Sequence, residues 1–265
     1  MGAWLESLSL PALLGVVALA FIGLALASSA LGFLGERLLR RRRIWDVALE
    51  PGQYRFELVG NLKYLAVHIP MATAFLGFGW LRFGDGSGLA TFAGMYLGFQ
   101  LYYYFLHRAL HHRALVRFHR WHHRSRVTTP LTGLSMGFVE ALGYAVGFYV
   151  LPAALSQLGA APWLAFDGWL AYMVFNNFGN IVGHGNFELG SPITRSRVVA
   201  IFQPPFVFHA LHHARWVGHF GFASAGYDAL FGTEFADWRE LHRRVYAGSP
   251  LPYLKFRGGA ASRDA

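Results

Sequence analysis

Cysteine is missing from all 265 positions, which excludes disulfides, iron–sulfur clusters and thiolate metal sites. Charge is scarce as well. Only 14% of the residues are Asp, Glu, Lys or Arg, where a soluble domain carries about 25%. Acids are the scarcer sign, 14 against 23 Lys and Arg, and the formal net charge is +9. In a chain that is 54% hydrophobic, this deficit implies a surface that largely meets lipid. A basic balance can also signal nucleic-acid binding. Here, however, the arginines stand beside apolar segments, at residues 40–43 and then at Arg108, Arg113, Arg117, Arg120, Arg124 and Arg126. That is the positive-inside pattern of a membrane protein, with some attraction to anionic lipid, so no nucleic-acid partner is expected.

The apolar runs support this. Residues 10–35, LPALLGVVALAFIGLALASSALGFLG, carry no charge and exceed the roughly 20 residues that span a bilayer core. A signal peptide is the competing reading. It is disfavoured by an uncharged start, MGAWLES, by the length of the run, and by ERLLRRRR where a cleavage site would fall. Further apolar segments follow at 58–80, 89–106, 131–151 and 163–183. Between them, EPGQYRFE reads as a turn or surface segment, and RFGDGSG and PAALSQLGAAP read as turns. The expected fold is all-α: a single integral membrane domain over 1–265, with about four to five membrane-embedded helices. Residues 107–130 and 184–250 are expected to form a cytosolic, helical, histidine-rich cap, with a loose tail after Pro252. Placing 40–43 in the cytoplasm brings every histidine-rich segment to the cytoplasmic face of a multi-pass protein. Alanine-, glycine- and arginine-rich usage suggests a bacterial inner membrane.

The histidines carry the chemistry. HRALHHRALVRFHRWHH, residues 107–123, holds six of the chain's 13. His107 and His111 are spaced i,i+4; His119, His122 and His123 are spaced i,i+3,i+4, and on a helix each set shares a face. HALHH repeats the second spacing at His209, His212 and His213, and His184 stands between in NIVGHGNFE. One such cluster could be a polar helix face, a phosphate site or a pH sensor. Three clusters on one membrane face point to metal, and nine or ten imidazoles exceed the needs of one ion. Two ions are the natural inference. The clusters hold no Glu of the carboxylate-bridged type and no HExxH. An all-histidine pair at a lipid boundary suits redox-active iron and O2. His68, alone in its span, reads as a hydrogen-bonded helix contact.

HxxxH at His107 and His111, followed by HxxHH at His119–His123 and again at His209–His213, resembles the fatty acid hydroxylase/sterol desaturase superfamily. GYDALFGT, residues 226–233, is similar to that family's Asp-x-x-Phe-Gly-Thr signature, and His184 is similar to a family ligand position. The resemblance covers about residues 90–235. It implies two iron ions held by His107, His111, His119, His122, His123, His184, His209, His212 and His213, with O2 as co-substrate. It also implies a lipid substrate (a sterol, fatty acyl chain or sphingoid base) that is hydroxylated or desaturated at an unactivated C–H bond. Electrons would come from a separate donor such as cytochrome b5, ferredoxin or a reductase, since no such domain is fused here. The chain departs from the family in reading His219-Phe220-Gly221 where Asn-Tyr-Gly is common. His112 and His219 are therefore possible extra ligands, and Asn180, Glu188 and Asp228 possible groups that orient the ligand rings. Glu140 is the lone acid of the apolar 131–151 segment, where an acid is expensive and often functional. The rival readings are a non-redox zinc-dependent membrane enzyme and a membrane metal-binding protein on the same scaffold.

Overall fold

The structure, a computed structural model, describes residues 4–5, 7–159 and 164–257. The described residues are helical, without a β-strand; two isolated bridges, Arg43 with Phe187 and Trp45 with Leu251, are the only extended pairings among them. The first helix, α1 (Leu10–Leu38), begins at Ser9 with Pro11 in its first turn, where a missing N–H costs nothing. It runs into the basic residues 40–43. Only 11% of its most apolar stretch is buried inside the protein, and Leu19, Leu26 and Leu38 point outward. Such a helix can cover its apolar surface only with lipid or another protein. Phe138–Gln157 is also long and apolar enough to cross a membrane, with half of its stretch buried.

Three more long helices pack with these: α2 (Gln53–Gly77), α3 (Gly88–Leu110) and, after the short α4 (Val116–His119) and the two halves of Phe138–Gln157, α7 (Phe166–Gly183). Those halves, α5 (Phe138–Ala145) and α6 (Leu151–Gln157), flank a π-helical turn at Val146–Val150. The helix α1 packs on α2 and α7, α2 on α5, and α3 on α7. The close approaches need glycine. A Cβ at Gly32 would meet Pro130 at 2.7 Å, and one at Gly60 would fall on Ser135 and the Trp121 indole.

The expected segments shift in three places. EPGQYRFE is half helix: α2 starts at Gln53, and Glu57 is fully buried rather than on the surface. Residues 131–137 are not the start of a span. They form a short 3-10 turn, Pro130–Leu134, wedged among α1, α2 and α7, and the helix begins only at Phe138. An apolar run of this kind is buried by protein, which hydropathy does not distinguish from burial by lipid. At the other end PAALSQLGAAP continues the helix to Gln157, and its last residues lie outside the described ones, as does Trp163 of the 163–183 segment.

A second core lies beside the first. Ile44, Trp45, Val207, Phe208, Leu211, Trp238, Leu241 and Leu251 enclose it, contributed by residues after α1, by α9 (Phe206–Arg215), which follows the short α8 (Arg197–Phe202), and by α11 (Trp238–Tyr246), which follows α10 (Gly226–Phe231). Residues 253–257 are docked rather than loose: Phe256 offers its carbonyl to Arg215 at 2.6 Å, and Arg215 also grips Asp237 at 2.7 and 2.8 Å. Residues 258–265 lie outside the described ones.

Glu57 joins the two halves. Its carboxyl oxygens accept from Gln53 Nε2 at 2.8 Å and from Ser125, Thr129 and Thr132 hydroxyls at 2.7 Å each. The second histidine box thus hangs from α2. Replacing Glu57 with Ala strands these buried donors, so Glu57→Ala should destabilise by about 3 kcal/mol or more. Thermal denaturation in detergent checks this, and an unchanged midpoint would contradict the assigned role.

Candidate metal centre

The histidines gather where the two cores meet, and they sort into two groups. His107, His111, His119, His123 and His212 form one; His122, His184, His209 and His213 form the other. Within each group the ligand atoms lie within 4.8 Å of one another. All nine are buried except His111, which is half-buried.

The local structure explains the sorting. His107 sits in the last turn of α3, and His111 caps its end. The second box is not one helix face, as its spacing suggests. His119 ends the four-residue α4, and His122 and His123 lie on a following 3-10 turn. In both HxxHH boxes the i,i+4 pair stays together and the middle histidine crosses over. His119 and His123 are in the five-histidine group with His122 outside it; His209 and His213 are in the four-histidine group with His212 outside it. Adjacent residues on a helix diverge by about 100°, so each HH pair must serve two centres. The groups adjoin, with His123 and His213 stacked at 4.7 Å.

Six of the nine rings are aimed by their Nδ1. His107 donates to Phe220 O at 2.7 Å, His122 to Ser135 O at 3.1 Å, His184 to Asn180 O at 2.6 Å, His212 to Gly218 O at 2.8 Å and His213 to Ser125 O at 2.9 Å. A carbonyl has no proton to give, so in these five rings Nδ1 carries the hydrogen and Nε2 presents a lone pair. His119 Nδ1 lies 2.7 Å from the buried Glu140 carboxyl.

The Nε2 atoms then face each other. His107 meets His119 at 3.0 Å, His212 meets His123 at 3.0 Å and His111 at 3.2 Å, and His209 meets His184 at 3.0 Å and His213 at 3.2 Å. In the four-histidine group only His209 has an Nδ1 without a partner, so at most one N–H is free to bridge lone pairs from His122, His184 and His213. Packed lone pairs of this kind could hold a cation. First-row metals bind imidazole at about 2.1 Å, which puts neighbouring octahedral ligands about 3.0 Å apart. Burial also holds the rings neutral, as a metal ligand must be: desolvation pushes His119 and His184 down to about 3 and His122 to about 4.

The remaining sequence candidates fall elsewhere. His112 is exposed and belongs to neither group. His219 is buried with both nitrogens engaged. Its Nδ1 donates to Phe208 O at 2.7 Å, its Nε2 accepts from Phe235 N–H at 2.8 Å, and the ring stacks on Phe208 at 3.5 Å. Asn180 orients His184 through its backbone carbonyl, while its side-chain amide donates to Gly133 O. Glu188 does not share a helix face with His184, because α7 ends at Gly183. Its carboxyl instead accepts the N–H groups of Gly190, Phe206 and Val207, fixing the start of α9, which bears the third box. Asp228 does not reach a third-box histidine. It accepts from the Phe220 and Gly221 N–H groups at 2.8 and 2.7 Å, and so steadies the carbonyl that orients His107.

Glu140 and Glu57 are the acids whose partners the sequence did not disclose. An acid in an apolar run was the available signal for Glu140. Glu57 lay beside a charged stretch and gave none. Trp216, held at φ 70° where a bulky residue is strained, packs on His123 at 4.7 Å.

Two outcomes follow. His212→Ala should deplete the five-histidine group alone and His213→Ala the four-histidine group alone, each lowering metal content by about half, while His112→Ala leaves it unchanged; elemental analysis of the purified variants checks this. The metal-free protein should be acid-labile. Histidines whose folded pKa lies near 3 to 4 leave the unfolded chain to take up protons below pH 6.5, so stability falls as pH drops through that window. Glu188 and Asp228, raised by burial to about 7 and about 6, bind protons first in the folded state and oppose the fall as pH drops toward 4.5. The histidines outnumber them, so the melting midpoint should drop on the order of 10 °C between pH 7 and pH 5.

Residues 92–233, which enclose every histidine of both groups, match the family model described as fatty acid hydroxylase. A very-long-chain aldehyde decarbonylase of rice (Oryza sativa), GL1-6, is 31% identical over 168 residues, covering 61% of this chain and 26% of the relative. The very-long-chain aldehyde decarbonylase CER1 of Arabidopsis thaliana is 34% identical over 139 residues, covering 49% of this chain and 21% of the relative. The chain thus spans about a quarter of the length of these curated relatives. No solved structure matches. The chain belongs to the fatty acid hydroxylase family.

Proposed function

We propose that the protein is a membrane-embedded, O2-dependent di-iron oxidoreductase acting on a long-chain lipid. The observation that supports this most directly is the pair of adjoining all-histidine groups with inward-facing Nε2 atoms. Iron bound there would supply O2 activation and the oxidation of an unactivated C–H bond. One oxygen atom enters that bond and the other leaves as water, with electrons from a separate donor such as a cytochrome b5, a ferredoxin or a reductase and protons from solvent.

The chain's own residues hold and shield that chemistry. Backbone carbonyls and Glu140 fix the ring orientations. The four-histidine group faces the lipid side: His122 borders one cavity among the long helices, and His209 borders a second, largely apolar one of about 220 Å³. A lipid entering from the bilayer reaches that group first. Exposed Phe178 and Leu189 line the second cavity, which suits a lateral entrance.

In the membrane reading, α1, α2, α3, the Phe138–Gln157 helix and α7 are the embedded elements, with the histidine cap and residues 40–43 on the cytoplasmic face. Exposed Arg113, Arg117 and Arg120 on that face fit an acidic electron carrier. The similarity to very-long-chain aldehyde decarbonylases makes long-chain aldehydes a further candidate substrate class.

The test is O2 consumption by iron-loaded protein in lipid nanodiscs, supplied with a reductant and, in turn, fatty acyl, sterol, sphingoid and long-chain aldehyde lipids. Lipid- and reductant-dependent uptake with a matching oxidised product is expected. Stoichiometric zinc in freshly isolated protein, with no uptake for any lipid, would contradict the proposal.

A further inference from the structure

The basic run that ends α1 borders a cavity of about 400 Å³ that none of the clustered histidines lines. Phe33, Glu36 and Arg37 share one face of the last turns of α1, and Arg40 opens the 3-10 turn that follows. With Arg43 they form one side of the cavity. Tyr54 of α2, Thr129 and Asn186 stand among the residues of the other side.

Three guanidinium groups thus meet one carboxylate. That carboxylate, Glu36, accepts the Asn186 N–H at 2.9 Å, and Arg43 reaches the exposed Asp46 at 3.4 Å. Arg37 and Arg40 are exposed and form no ion pair among the described residues. Two unpaired guanidinium forks beside a hollow suit an anion with several oxygens, above all a phosphate. Positive-inside charge accounts for arginines at the end of a span, but not for a hollow enclosed between them and α2. The apolar part of the wall distinguishes the source of the phosphate. Phe33 meets Tyr54 edge-on at 6.1 Å, which gives α1 and α2 a shared aromatic side. Leu34 and Leu38, neighbours of Arg37 on α1, are exposed. An acyl chain can lie along these residues while its phosphate reaches the arginines, whereas a free phosphate ion gains nothing from them.

From this we infer that the cavity binds the headgroup of an anionic phospholipid. The phosphate sits between Arg37 and Arg40, and the acyl chains lie against α1. Across the cavity Thr129 gives its hydroxyl to Glu57 at 2.7 Å, and Asn186 accepts the Trp45 N–H at 2.8 Å. A bound lipid therefore spans α1, α2 and the segments that follow the second histidine box and His184. The inference rests on the membrane reading of α1 above and is independent of the metal and of turnover.

To test it, purified full-length protein is equilibrated with equal amounts of phosphatidylglycerol and phosphatidylcholine in mixed micelles, and the retained lipid is quantified by mass spectrometry. One arginine near an anionic lipid gives about fivefold in affinity, so two should give a preference for phosphatidylglycerol of at least about tenfold. Arg37→Gln/Arg40→Gln should cut that preference to about threefold or less. Arg41→Gln/Arg55→Gln removes the same charge from exposed arginines outside the cavity and should leave the preference intact. Arg40→Gln alone should fall between, which keeps the question decidable should the double variant fail to fold. Inorganic phosphate should bind on the order of a hundredfold more weakly than the lipid. Equal losses in the two double variants mean diffuse attraction and overturn the inference, as does phosphate binding as tight as that of the lipid. Flotation with vesicles of the same two lipids tests the membrane reading separately. Protein that floats but retains both lipids equally refutes the headgroup site alone; protein that does not float overturns both.

Discussion

The structure depends on one constraint: nine imidazoles must converge while keeping their Nε2 lone pairs free. A histidine is held in that orientation when its Nδ1–H is engaged elsewhere. Five rings donate to backbone carbonyls and His119 leans on Glu140. Four of those carbonyls belong to irregular segments, at Ser125, Ser135, Gly218 and Phe220, which the remaining architecture holds in place, and the fifth, at Asn180, belongs to α7. Glu57 ties the Ser125 segment to α2, Asp228 ties Phe220 and Gly221 to the start of α10, and Glu188 sets the N-terminus of α9. Three buried acids thus fix backbone, and the backbone aims the rings. The poverty of acids in the composition fits this picture, because the buried ones are committed to specific donors.

The two HxxHH boxes show why the histidines come in such close pairs. Within each box the i,i+4 pair serves one group and the histidine between them, at i+3, serves the other. The arrangement interlocks the second and third boxes, which are some 90 residues apart in sequence, so that neither group is complete without both. The group with four histidines is also the one that borders the cavities. Fewer histidines and neighbouring free space coincide on the same side.

Much of this was legible in the sequence. The helical class, the apolar segments and the nine histidines that the structure brings together follow from hydropathy and spacing. The sorting into groups did not follow, because periodicity assumes a continuous helix and the second box is a short turn followed by a 3-10 turn. The apolar run at 131–137 misled for a related reason: it is buried against α7, where Gly133 lies on the backbone of Asn180 and Ile181. His219 read as a ligand candidate from its place after the third box, yet its ring is consumed by Phe208 and Phe235. Partners supplied by backbone carbonyls leave no residue-type signature, so the orientation of the rings belongs to the three-dimensional structure.

The most direct test of the central claim is anomalous diffraction from crystals of iron-loaded protein, collected at the iron edge. The account predicts two peaks, one enclosed by His107, His111, His119, His123 and His212, the other by His122, His184, His209 and His213. A single peak, or peaks coordinated by His112 or His219, would contradict it.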